Sequence, residues 1–484
     1  MLIFKTKLDS DGNVERYKAR LVVKGCGQRK GIDYDEVFAP VAHHETIRVA
    51  LSLAAADKLL VHQMDVKTAF LVPELQETVY MELPRGWPAE LEGGGRGDVV
   101  AKLKKALYGL KQAPKAWHSK LSGWMISNGF TRSQSDPCLF LRPQDDGGLL
   151  LVTVWVDDLL IYSASLQAIN AFKAAISAAF SMKDLGEAHF CLGMRFTFGK
   201  DFVALDQERY ILELLQRFGM ASCKPSPTPL APGTELRKAA STEDPGSSSD
   251  QLLDAASASR YKEIVGALLY LVTCTRPDLA MAVNQLSRHM SAPSAAHFAA
   301  AKHVLRHLRG TADLGIRYQR GDSSAERNVL TGYADASWMS VPGTSRSVSG
   351  YVFLLNGAAV SWRCKVQTTV ALSTAEAEFD TLCAATREAI YLRGLLQELR
   401  RAPAQATAIR EDNQPCIALI KNPVTSNRTR HVALRFNFVR EKLQVGLIDV
   451  VYCPTSEQLA DIFTKMLPRP QHCKLRQLLL GLVD

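Results

Sequence analysis

The chain has 484 residues, 47% apolar and 22% charged, a globular composition that excludes a wholly disordered, collagen-like or disulfide-scaffold protein and predicts two to four domains. Its 58 Lys and Arg against 49 Asp and Glu leave a formal charge of +9, which favours polyanionic partners. The most prominent apolar run, residues 149–156, is far shorter than the roughly 18 residues of a spanning helix; with no secretory leader and no CxxC pair, the expectation is an intracellular protein, cytoplasmic or nuclear, with reduced thiols and no membrane.

In chain order, residues 3–41 carry Lys5, Lys7, Arg16, Lys18, Arg20, Lys24, Arg29 and Lys30 around short β-like runs and predict a basic hairpin. Residues 46–56 predict a helix and residues 59–65 a strand that ends on an acidic residue, Asp65. Residues 93–97 read as a flexible break. The spacing of Leu103, Leu107, Leu110, Trp117, Leu121 and Trp124 predicts helical packing interrupted at Pro114. A buried strand over 149–156 delivers Asp157 and Asp158 to the start of a hairpin turn. A helix over 168–180, a strand over 190–198 and a helix over 208–218 follow. Residues 225–259, dominated by Pro, Ser, Gly, Thr and Ala with Pro245 near the centre, predict a flexible linker and the main domain boundary. Amphipathic helices fill 260–309. Strands near 330–335, 350–355 and 359–365, a helix from Thr374, a strand ending near Asp412 and further helices complete the chain, with no internal repeat.

The chemistry lies in the carboxylates. A single strand-terminal Asp ordinarily faces solvent or caps a turn. Two adjacent ones after a nearly all-apolar strand, with Asp65 ending another strand, instead suit hard-oxygen coordination of Mg²⁺ beside phosphates. A pair of such ions about 3.5–4 Å apart would stabilise both the attacking and the leaving oxygen of a phosphoryl transfer.

Nine blocks, in order, carry a resemblance: Tyr17-Lys-Ala-Arg-Leu-Val, Gly31-Ile-Asp-Tyr-Asp-Glu-Val-Phe-Ala-Pro, Met64-Asp-Val-Lys-Thr-Ala-Phe-Leu, Leu107-Tyr-Gly-Leu-Lys-Gln-Ala-Pro-Lys-Ala-Trp, Val156-Asp-Asp, Met182-Lys-Asp-Leu-Gly-Glu, Tyr333-Ala-Asp-Ala-Ser-Trp, Asp412-Asn-Gln and Gln458-Leu-Ala-Asp-Ile-Phe-Thr-Lys. Together they resemble the reverse transcriptase and RNase H portion of copia-type retrotransposon Pol polyproteins. The resemblance implies an α/β (α+β) fold: right-hand polymerase fingers and palm over residues 1–224, the linker at 225–259, a helical thumb or connection over 260–325, and an RNase H-like mixed sheet with flanking helices over 326–484. It implies RNA-directed DNA polymerisation coupled to cleavage of the RNA–DNA hybrid. The implied partners are an RNA template, a DNA primer and deoxynucleoside triphosphates, and the implied cofactor is a pair of Mg²⁺ ions in each site, with Mn²⁺ as the alternative.

By the same resemblance Asp65, Asp157 and Asp158 would hold the polymerase metals, and Phe70, five residues after the first of them, would be the steric gate against a ribose 2′-OH; a core Phe is the other reading. Lys18, Arg20 and Lys24 would neutralise the triphosphate, where a solvated basic face is the ordinary explanation. The segment containing Gln112 would support nucleotide and template, Lys183 would protonate the leaving pyrophosphate, and residues 190–196 resemble a primer grip. The second metal set would be Asp335, Glu378, Asp412 and Asp461. Here Glu376 competes with Glu378, but Ser373-Thr-Ala-Glu376 fits a capping box, which gives Glu376 a structural role and leaves Glu378 on another face. A helix-capping role for Asp412 and a solvent face for Asp461 stay open.

Departures from the family pattern stand at Trp155, at Val72-Pro73 and at Ala433 and Asn437 after His431, and the chain opens inside the fingers region, so a piece of a polyprotein is expected. These features motivate the alternative of an inactive fragment that only binds nucleic acid. His297, His303 and His307 on one helix lack a third-ligand pattern and read as solvent- or RNA-facing, and Cys138 as a small buried residue.

Overall fold

The computed structural model describes residues 1–8, 14–84, 99–238, 251–320, 327–421 and 433–482. Residues 93–97, Pro245 and His431 lie outside the described residues, and no helix among those described is long and apolar enough to cross a membrane.

Strands β1 (Leu2–Leu8) and β2 (Val14–Leu21) form the basic hairpin. Its register pairs Lys5 with Lys18 and Ile3 with Arg20, so alternation places these cations on one face and Phe4 and Tyr17 on the other. Helix α1 (His44–Asp57) precedes β3 (Leu60–Val66), β4 (Tyr80–Glu82), β5 (Val100–Lys102) and α2 (Ala113–Ser127). Next come β6 (Thr131–Arg132), β7 (Leu139–Pro143), β8 (Leu149–Trp155), β9 (Asp158–Ser163), α3 (Leu166–Ala179) and β10 (Met182–Glu187). The expected helical run from Leu103 is not helical before Ala113. Gly109 at φ 95° breaks it, and Pro114 sits in the first turn of α2, where proline starts a helix instead of interrupting one.

The remainder runs β11 (Phe190–Cys191), β12 (Met194–Phe198), β13 (Phe202–Asp206), α4 (Glu208–Arg217), α5 (Ala255–Cys274), α6 (Ala280–Ser287), α7 (Ala295–Arg309) and β14 (Ile316–Gln319). It ends with β15 (Thr331–Ser337), β16 (Val348–Leu355), β17 (Ala358–Val366), α8 (Thr374–Glu398), β18 (Thr407–Glu411), α9 (Gln414–Lys421), α10 (Ala433–Gln444), β19 (Ile448–Tyr452) and α11 (Arg469–Leu480).

The chain divides into two compact units, Met1–His43 with Leu60–Ala188, and His44–Leu59 with His189–Asp484. In the first, an antiparallel sheet in the order β10-β3-β9-β8-β7-β6 buries one face under α2 and α3, with Trp117, Leu121, Met125, Phe172 and Ile176 packed on Met64, Val152, Val154 and Ile161. In the second, a sheet in the order β17-β16-β15-β18-β19 is mixed: β15, β18 and β19 are parallel, the rest antiparallel. A four-stranded sheet β11-β12-β13-β14 and the α4–α7 helical cluster complete that unit.

Helix α1 belongs to the second unit although its sequence lies among first-unit elements. Residues Thr46 to Ala56 are all buried, so this helix has no solvent-facing side over that span. Its Arg48, 2% exposed, donates to the carbonyls of Val360 (2.8 Å) and Thr273 (2.7 Å), pairs with Glu45 (3.0 Å) and stacks 3.9 Å from the Trp362 ring.

Two other expectations change. Within the expected linker, Leu230 and Leu236 are buried in the α4–α7 core and α5 begins at Ala255, so the described ends of that segment are packed; residues 239–250 lie outside the description. The α7 histidines face inward: His297 and His307 are buried, and His303 shares a hydrogen bond with Ser226 Oγ. The departures at Val72-Pro73 are accommodated, since the chain there leaves a short 3-10 turn, Ala69–Leu71, and the Pro73 carbonyl accepts from Ala106 N.

Candidate active sites

The first set of carboxylates lies at one end of the first unit's sheet. Asp65 on β3 is the register partner of Asp158 on β9, and on its other side Asp65 pairs with Lys183 on β10. Directly opposed residues share a face of the sheet with Cβ atoms about 4.5–5.5 Å apart, so Lys183, Asp65 and Asp158 form one row. Asp157 is the second residue of the two-residue β8–β9 turn, and its carbonyl accepts from Val66 N at 2.9 Å, which ties the end of β3 to the turn. Val156, the first turn residue, has φ 57°. A hairpin of this length ordinarily places glycine there, and a β-branched residue is strained. Trp117 Nε1 holds it in place by donating to the Val156 carbonyl at 2.6 Å. Gln63 Nε2 donates to Asp158 Oδ1 at 3.1 Å. The three aspartates share this strand end without forming a cluster of ligand oxygens within 4.8 Å, among the described residues.

The remaining first-unit candidates separate. Phe70 is half-buried, edge-on to Tyr108 at 5.2 Å, and the Arg20 guanidinium lies 4.8 Å from the centre of the same Tyr108 ring. Lys18 shares the Arg20 face of β2 and is half-buried, while Lys24 and Lys183 are exposed. Gln112 is not open to a ligand: it is buried, accepts from Gln28 Nε2 at 3.0 Å and donates to the Asp33 carbonyl at 2.9 Å, so its amide fastens loop residues to the start of α2.

The second set converges more tightly. The parallel register matches Tyr333 with Arg410, which two residues further on brings Asp335, inside β15, level with Asp412, just past the end of β18. Asp461 arrives on a short 3-10 turn, Leu459–Phe463, and is buried, not solvent-facing. Gln458 caps that turn and donates to the Ala334 carbonyl at 2.9 Å, and Gly350, the partner of Asp335 on β16, leaves the room it needs, since a Cβ there would lie 2.6 Å from Phe463 Cβ. One oxygen each of Asp335, Asp412 and Asp461 lie within 4.8 Å of one another, as do those of Glu378, Glu411 and Asp412, so Asp412 joins two triads.

The competition on α8 has a clear outcome in geometry. Ser373 Oγ accepts from Glu376 N at 3.2 Å, and Glu376 Oε2 accepts from Leu372 N at 2.8 Å, whereas Glu378 is 4% exposed with Oε2 buried and unpartnered. Burial first, then the charges of Glu411, Asp335 and Asp412, push the Glu378 carboxyl up to about 11. Burial and Asp335 push Asp461 up to about 6, and burial raises Asp335 and Glu411 as well. Lys465 Nζ sits between two of these groups, 2.6 Å from Asp461 Oδ1 and 3.3 Å from Asp335 Oδ1, and Thr464 Oγ1 donates to Asp335 Oδ2.

An all-oxygen donor set with an orphaned buried oxygen at Glu378 and a lysine ammonium between Asp335 and Asp461 fits a hard divalent cation. Sequence reasoning missed Glu411 and Lys465. Strand alternation turns Glu411 inward with Thr407 and Ile409, where its carboxylate comes within 4.8 Å of those of Glu378 and Asp412, a direction that the inside-facing Thr407 and Ile409 on the same strand could have signalled.

The chain matches the family model described as reverse transcriptase (RNA-dependent DNA polymerase) over residues 1–232. Over 96% of its length it is 39% identical to the retrovirus-related Pol polyprotein from transposon TNT 1-94 of Nicotiana tabacum and 38% identical to that from transposon RE2 of Arabidopsis thaliana, covering 34% and 31% of them. Over 66% of its length it is 32% identical to a putative transposon Ty5-1 protein of Saccharomyces cerevisiae and covers 97% of that protein. The chain belongs to the reverse transcriptase family carried by copia-type retrotransposon Pol polyproteins. It spans about a third of the length of these plant relatives. Among solved structures it is similar to the foamy viral protease-reverse transcriptase in complex with double-stranded DNA (12% identity, TM-score 0.22, 93% of this chain and 77% of that one). It is also similar to LC11-RNase H1 in complex with an RNA/DNA hybrid (12% identity, TM-score 0.22, 28% of this chain and 93% of that one).

Proposed function

We propose that the chain is an RNA-directed DNA polymerase with a hybrid-directed ribonuclease H, the first activity centred on Asp65, Asp157 and Asp158 and the second on Asp335, Glu378, Asp412 and Asp461 with Glu411. The observation that carries this reading is that a retrotransposon reverse transcriptase sequence places its two acidic sets in different compact units, each at the end of a sheet. Functionally, residues 1–224 form the polymerase segment, 260–325 a helical connection and 326–484 the ribonuclease segment, with α1 lent by the first to the unit that holds the last.

Mg²⁺ held by these carboxylates would supply charge neutralisation at the reacting phosphate and activate the attacking oxygen. The protein's part is positioning. The tied turn at Val156-Asp157 fixes where the primer 3′-end meets the aspartates, Arg20 with Lys18 and Lys24 offers cations to the triphosphate, and Phe70 limits the space at the sugar 2′-position. In the other unit Lys465 balances the charges of Asp335 and Asp461, charge that a bound divalent cation would also neutralise. The partners are an RNA template, a DNA primer, deoxynucleoside triphosphates and the RNA–DNA hybrid, drawn by a basic surface.

The test is primer extension on RNA and hybrid cleavage by the same purified protein, with Asp157→Asn alongside. The variant should lose DNA synthesis by at least about a thousandfold and keep cleavage. Simultaneous loss of both in a folded protein would refute two independent centres, and binding of hybrid without either activity would identify an inactive fragment.

A further inference from the structure

The segment between β5 and α2 touches the basic hairpin backbone to backbone. The Tyr108 carbonyl accepts from Val23 N at 2.8 Å. Gly109, at φ 95°, lies so close that a Cβ would come 2.1 Å from the Val23 carbonyl oxygen, and a Cβ on Gly25 would come 2.0 Å from that of Gly109. No side chain fits between the two segments, so the ring of Tyr108 has a fixed position relative to β2. From there it meets two groups at once. The Arg20 guanidinium lies 4.8 Å from the ring centre, its charge acting on the hydroxyl, and the Phe70 ring abuts the Tyr108 ring edge-on at 5.2 Å and 64°. The half-buried hydroxyl also feels the charges of Asp157 and Asp65.

We propose that Tyr108 is a positioning residue for the incoming nucleotide, its hydroxyl aiming Arg20 at the triphosphate and its ring bracing Phe70 against the sugar. One side chain then sets both phosphate affinity and sugar selection, through different atoms. This rests on the polymerase reading of Asp65, Asp157 and Asp158. The two functions separate chemically: Tyr108→Phe keeps the brace and removes the hydroxyl beside the guanidinium, whereas Tyr108→Leu removes the flat ring edge as well.

Single-nucleotide primer extension with the full chain reads both. Tyr108→Phe should raise KM for a deoxynucleoside triphosphate about tenfold, the size expected for loss of a polar partner to a charged group, with kcat and the preference for deoxyribose over ribose little changed. Tyr108→Leu should raise KM similarly and also lower the sugar preference about tenfold, approaching Phe70→Ala, and the Tyr108→Leu, Phe70→Ala double variant should lose little more than Phe70→Ala alone. Hybrid cleavage by the same samples reports that the second unit is intact, and unchanged melting of the Tyr108→Phe protein excludes a merely structural loss. The inference is overturned if Phe70→Ala relaxes sugar selection while both Tyr108 variants match the parent in KM and selectivity. A parent protein that extends no primer with hybrid cleavage intact overturns the polymerase reading, and this inference with it.

Discussion

Arg48 offers the sharpest test of the way the chain is partitioned, because its sequence neighbours suggest polymerase and its contacts lie in the other unit. Its guanidinium, 2% exposed, serves the carbonyls of Val360, Thr273 and Cys274, pairs with Glu45 and covers Trp362. Substituting methionine keeps much of the stem volume but leaves those buried carbonyls short of a donor and removes the cation above the ring. Each unmet buried group costs about 1–3 kcal/mol and a cation–π contact about 1–2, with incomplete additivity, so Arg48→Met should destabilise the second unit by about 3–5 kcal/mol. At about 2–4 °C per kcal/mol for a large domain, melting of that unit falls by roughly 6–20 °C. Arg48→Lys keeps the charge but not the planar fork and should fall between the two. Hydrogen exchange resolved by peptide is the assay: protection should drop in α1, in β17 and at the end of α5, while β8 and β9 keep theirs. A change under about 1 kcal/mol, or loss of protection centred on β8 and β9, would refute the assignment of α1 to the second unit.

The other predictions follow from the two acidic centres. Glu378→Gln should abolish hybrid cleavage with little change in melting, while Glu376→Gln should lower stability by up to about 1 kcal/mol and leave cleavage in place; the reverse pattern would put the metal-facing residue two positions earlier on α8. Because burial and mutual repulsion raise Asp461 to about 6 and Glu378 to about 11, these two groups favour the folded metal-free second unit most below the ordinary carboxylate range, and that contribution is lost as pH rises through those values. Mg²⁺ competes with protons for the same oxygens, so it should raise melting more at about pH 8 than at about pH 5. Equal Mg²⁺ effects in thermal melts at both pH values would count against a carboxylate metal site. Val156→Gly relieves a β-branched residue at φ 57° and should leave stability unchanged or higher by up to about 1 kcal/mol, yet slow primer extension by loosening the turn that holds Asp157; a variant with unaltered extension would show that the strain has no catalytic purpose.

Local patterns determined much of this protein. An apolar run ending in two aspartates is enough to place a carboxylate pair on a hairpin turn, and Ser373 three residues before Glu376 is enough to start α8 and to separate Glu376 from Glu378, because both depend on residues within a few positions of one another. What covers an apolar face is a different matter. Apolar content was enough to predict a helix over residues 46–56, but a helix buried on every side carries no mark of its neighbours, and only the tertiary structure seats it on Trp362 and Val360.

The same distinction holds in the sites. Gln112 sits in a segment that its sequence singled out, yet its amide is occupied by Gln28 and Asp33, partners about 80 residues away that no local pattern reveals. Asp412 was legible as a strand-end acid, whereas its meeting with Asp335 depends on the parallel register of β15 and β18. Glu411 and Lys465 enter the second centre only because a sheet, a helix and a turn close around them, and charges brought together out of water are a property of that closure and not of any stretch of sequence.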